Sequence, residues 1–100
     1  MDQNIETIYV EFHNRARELF FSLFRDFNAC IEGVNRHRDE YLFRSQREQY
    51  VHRLEQQLHQ LAEEIIREHQ SQSNVGQLSQ NLRHFTQNYI HQFIQKVKAL

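Results

Sequence analysis

The chain contains no proline and only two glycines, Gly33 and Gly76, in its 100 residues. Proline removes a backbone donor and clashes with the preceding turn, and glycine loosens a helix through its backbone freedom. With so few of either, long helices run unbroken. Apolar residues recur every three or four positions through most of the chain, which is the period of one helix face and not of a strand. Together these features predict an all-α protein.

Three amphipathic segments follow when the residues are placed 100° apart. The first is expected over about residues 2–34. Its apolar stripe is Ile5, Ile8, Tyr9, Phe12, Ala16, Leu19, Phe20, Leu23, Phe24, Phe27, Cys30, Ile31 and Val34, with Glu11, Arg15, Glu18, Arg25 and Glu32 opposite. Gly33 and the polar run Asn35-Arg36-His37-Arg38 break the phase, so a turn is expected there, with Asp39 capping the next helix. A kinked continuous helix is the alternative. The second helix is expected over 39–70. From Val51 through Leu54, Leu58 and Leu61 to Ile65 its seam repeats in heptad steps, the pattern of knobs-into-holes packing, and Arg47 interrupts that seam. Ser71 to Gly76 reads as a loop, and Asn74 with Gln77 resembles a capping box for a third helix over 75–98. The face of that helix is Leu78, Leu82, Phe85, Tyr89, Phe93 and Val97, broadened by Ile90 and Ile94, and Lys96 and Lys98 suit its C-terminal dipole.

The expected architecture is a single-domain three-helix bundle, up-down-up, with two long antiparallel helices and a shorter third. Part of the long hairpin would then lack a third helix. A chain this short also buries a modest core. Both points predict completion as a homodimer.

Net charge bears on partners. It is −1 with neutral histidines, which disfavours wholesale binding to nucleic acid or anionic membrane. No apolar stretch approaches the length of a bilayer span. The single cysteine, Cys30, excludes an intramolecular disulfide, and the N-terminal residues lack the pattern of a secretory signal. A cytoplasmic protein is the expectation.

Few residues carry a chemical signature. Seven histidines are present, but His52 with His59, and His84 with His91, are seven apart, too far to share one metal ion. The spacings that fit a metal are His59 with Glu63, His52 with Glu55 and His37 with Glu40, and no Glu-x-x-His occurs, so the di-iron bundle pattern is absent and solvated histidines on polar faces are expected. Isolated glycines cannot form a phosphate-cradling loop. Cys30 lies inside the apolar stripe and reads as a small core residue. No cofactor and no enzymatic activity are expected.

Two surfaces remain as candidates. Phe21 points away from the stripe onto the charged face; with Phe24 and Ile31 at the stripe edge, and Ile90 and Ile94 on the third helix, it reads as a partner-binding patch. Arg36, Arg38, Arg44, Arg47 and Arg53 cluster around Tyr41, Phe43 and Tyr50, and Arg36, Arg38 and Arg44 are the candidates for contact with nucleic acid. The function expected is that of a small non-enzymatic adaptor acting through homodimerisation and helix contacts with a protein partner. The alternative is a regulatory nucleic-acid binder using the arginines.

Overall fold

The computed structural model describes residues 4–71 and 73–100. Three α-helices are present: α1 (Ile5–Cys30), α2 (Glu40–Glu68) and α3 (Val75–Lys98). No strand occurs among the described residues. Asp2, the expected start of the first helix, lies outside them.

Each helix packs against the other two. Phe27, late in α1, meets Phe43 and Tyr50, early in α2, while Arg15 reaches Glu64 near the end of α2. The two helices are therefore antiparallel. Tyr9 meets Phe85 and Phe24 meets Phe93, so α3 returns parallel to α1. The result is an up-down-up bundle of 57 × 18 × 17 Å.

Two expectations change here. The helices are 26, 29 and 24 residues long. Their near equality leaves no long stretch of hairpin without a third helix, and the length argument for a second copy falls away. Nor does a heptad run through the packing as a whole, although Leu54, Leu58, Leu61 and Ile65 of the expected α2 seam are buried. Buried residues in α1 are Ile8, Phe12, Ala16, Phe20, Leu23 and Phe27; in α2 the run is Tyr50, Leu54, Leu58, Leu61 and Ile65. Steps of four outnumber steps of three, so the buried line follows the straight helix period instead of the shorter coiled-coil one. Tyr50 takes the core place expected of Val51, which is half-buried.

The ends of the helices explain the rest of the path. Asn4 caps α1 by accepting a hydrogen bond from the Glu6 N–H at 2.9 Å. Expected to reach Val34, α1 instead stops at Cys30, because Gly33 adopts φ +81° and leaves the helical region. The following turn is ordered by Asn35, whose Oδ1 accepts from the His37 and Arg38 N–H groups, both at 2.9 Å. Residues 35–39 thus turn and do not continue as a kinked helix. Neither expected cap forms: Asp39 and Asn74 make no side-chain cap bond. The Asn74 Oδ1 is buried with no hydrogen-bond partner among the described residues.

Nothing lies within 4 Å of where a Gly33 side chain would begin, so only backbone conformation resists replacement. Gly33→Ala is expected to destabilise the bundle by about 1–2 kcal/mol, the cost of holding an L residue in the left-handed region. A thermal melt checks this, with a fall of about 4–8 °C per kcal/mol expected for a domain of this size.

Candidate functional site

The five residues expected to form a partner patch are separated by the fold. Phe21 is 54% exposed on the outer side of α1, its ring edge-on to Phe20 at 5.4 Å. Phe24 is half-buried against Phe93, and the Lys96 ammonium lies 4.9 Å from its ring centre. Ile31 is half-buried just beyond α1. Ile90 is only 8% exposed and belongs to the core, so its side chain is already spent on the bundle. Ile94 borders a different groove, between α2 and α3, with Val51 and His52. Phe21 is the one member that stands open to a partner.

Around Phe21 the α1–α3 face has a consistent character. Arg17 and Arg25 sit one helical turn to either side of it, and neither pairs with a carboxylate among the described residues. Val10, 57% exposed, lies three turns earlier on the same side, about 16 Å along the axis. Two small hollows follow the seam between the helices. One is lined by His13, Arg17, Phe85, Asn88, Tyr89 and Gln92, the other by Arg17, Phe20, Phe21, Tyr89 and Gln92. No acidic side chain lines either.

His13 anchors this seam. Its Nδ1 is 2.7 Å from the Tyr89 hydroxyl, and its ring packs 4.6 Å from that of Phe85. Burial among these rings, and secondarily the nearby Arg17 charge, holds the imidazole below its usual pKa. In the neutral tautomer that carries its proton on Nε2, Nδ1 accepts the Tyr89 O–H. Because the folded state depresses this pKa, stability is full above the unfolded value near 6.5 and is lost as pH falls toward the folded value. Wild-type urea midpoints should therefore drop between about pH 7.5 and 5.5, and the His13→Gln variant should show a smaller drop over that range.

The arginines occupy the end of the bundle where the α1–α2 turn meets the C-terminus of α3. Arg36 Nη1 donates to the Lys98 carbonyl at 2.8 Å and the Leu100 carbonyl at 2.6 Å, and the guanidinium lies 5.4 Å from the centre of the Phe43 ring. It caps carbonyls at and just beyond the C-terminal end of α3, a structural task not legible in the chain. Arg44 pairs with Glu40 at 2.9 Å. Arg38 is exposed. Arg36 and Arg44 thus already hold partners within the protein and do not form an open basic track with Arg38.

Cys30, expected as a small core residue, is instead exposed, although Ile31 and Val34 farther along the same stripe still pack half-buried against the core. Its sulfur remains 3.0 Å from the Tyr50 hydroxyl. That hydrogen bond, and then burial, raises the Tyr50 pKa above the usual phenol value. Among the described residues no group of three or more histidine, cysteine, aspartate or glutamate side chains could hold a metal ion. His59 lies 4.0 Å from Glu55. No helix is long and apolar enough to cross a membrane among the described residues.

Sequence reasoning missed Tyr50, Asn35 and the buried Thr86, whose hydroxyl donates to the Leu82 carbonyl at 2.9 Å. Steps of four residues, favoured over three, would have found Tyr50 and Thr86. Comparison with protein-family models, with curated proteins and with solved structures finds no match.

Proposed function

We propose that this chain is a non-enzymatic interaction protein whose α1–α3 face receives an acidic, amphipathic segment of a protein partner. The observation that carries the reading is Phe21, open to solvent and bracketed by Arg17 and Arg25 with no carboxylate paired to either. A partner helix would set an apolar side chain against Phe21 and its carboxylates against the arginines. Charge complementarity of this kind selects partners and speeds encounter.

Self-association through the same face is opposed by its charge. A two-fold contact centred on Phe21 would bring Arg17 and Arg25 of opposing copies together, like charge on like. The partner is therefore a different protein.

The test uses two labelled helical peptides, each with a leucine and phenylalanine stripe, one bordered by glutamates and the other by lysines. Saturable binding of the acidic peptide, weakening with salt, and no binding of the basic one would support the reading. Equal binding of both, or of neither, would sink it. Light scattering on the free protein decides the homodimer separately: a dimeric mass would return the face to self-contact.

A further inference from the structure

We infer that the bundle end formed by the α1–α2 turn and the first turns of α2 is a binding site for a phosphate group carrying two negative charges. Arg36, His37, Glu40, Phe43, Arg44 and Arg47 line a hollow of about 260 Å³ there. Three guanidinium groups and one carboxylate give it a positive balance.

The three arginines are held differently, and the differences matter. Arg36 is fixed by two carbonyls and the Phe43 ring, so its charge is positioned before any ligand arrives. Arg44 is steadied by Glu40 one turn away. Arg47 is half-buried on the packing seam, one turn beyond Phe43, and has no ion-pair partner among the described residues. Glu48 and Glu55 border the adjoining groove that Arg47 also lines, yet neither comes within ion-pair distance. A half-buried cation without a counter-ion is a standing cost that an apolar residue at the same seam place would avoid. A bound anion relieves it.

The helix adds to the field. Glu40 opens α2, and Asp39 makes no side-chain bond to its first turn, so those N–H groups are not capped by a side chain at the rim of the hollow. Phosphate suits the site better than a carboxylate does. Its several oxygens can take forked donors from more than one guanidinium, and its second charge matches the excess of arginine.

The full chain is titrated with inorganic phosphate at constant ionic strength, balanced with chloride, while backbone and arginine side-chain nuclear magnetic resonance signals are followed. Saturable shifts confined to residues 36–47 are expected. Arg47→Gln should weaken the affinity about tenfold or more, as the loss of a charge-assisted hydrogen bond requires. Arg44→Gln should weaken it while leaving the melt of the free protein nearly unchanged, since an exposed pair contributes little. Arg47→Leu should melt higher than wild type without phosphate and lose the phosphate-dependent rise. Shifts that follow chloride, that spread to the Phe21 face, or that survive Arg47→Gln unchanged would overturn the proposal. Binding of a single-stranded oligonucleotide with no response to inorganic phosphate would overturn it too, in favour of a diester backbone track.

Discussion

Phe27→Ala is expected to cost about 3–5 kcal/mol, the largest effect of any substitution considered, against a total stability of roughly 5–15 kcal/mol. Phe27 is fully buried, and its ring meets both Phe43 and Tyr50 edge-on at 5.7 Å. Removing it opens a cavity where α1 meets the first half of α2. The packing that holds Tyr50 against Cys30 goes with it. A thermal melt should fall by more than about 12 °C. Phe27→Leu keeps most of the volume and should cost less than about 1.5 kcal/mol. If the alanine variant melts within a few degrees of wild type, the aromatic cluster does not hold α1 to α2 as described.

Phe21→Ala separates function from stability. The side chain is more than half exposed and touches the bundle chiefly through Phe20, so the melt should move little. If Phe21 anchors the partner segment, its truncation should weaken binding of the acidic peptide about 30-fold, the signature of an interface hot spot of about 2 kcal/mol. Reversing Arg17 to glutamate should weaken the same binding and blunt its salt dependence. An unchanged affinity in Phe21→Ala would remove that residue from the interface.

Much of the fold could be read from the chain. The absence of proline and a sustained helical period are local properties, and they fix three helices, their approximate bounds and most core positions. Leu54, Leu58, Leu61 and Ile65 are buried where their spacing put them. Phe21 stands out on the exposed side for the same reason: its angle on the helix follows from its number alone.

Other features depend on which segments meet. Tyr50 outranks Val51 in the core because Phe27 and Cys30 lie across from it on α1, and heptad reading of α2 alone had no access to that neighbour. Ile90 fits an interface or a core equally well by sequence; the packing of the three helices together decides for the core. Arg36 looks like a surface cation until the end of α3 arrives within reach of its guanidinium, 62 residues on.

The sequence by itself determined the helices and the apolar face of each, because hydrogen bonding and side-chain period act within a few residues. Only the tertiary structure decided which apolar residues remain open, and which charges are spent on the protein itself. Burial and pairing are properties of two surfaces together, and the second surface comes from a distant part of the chain.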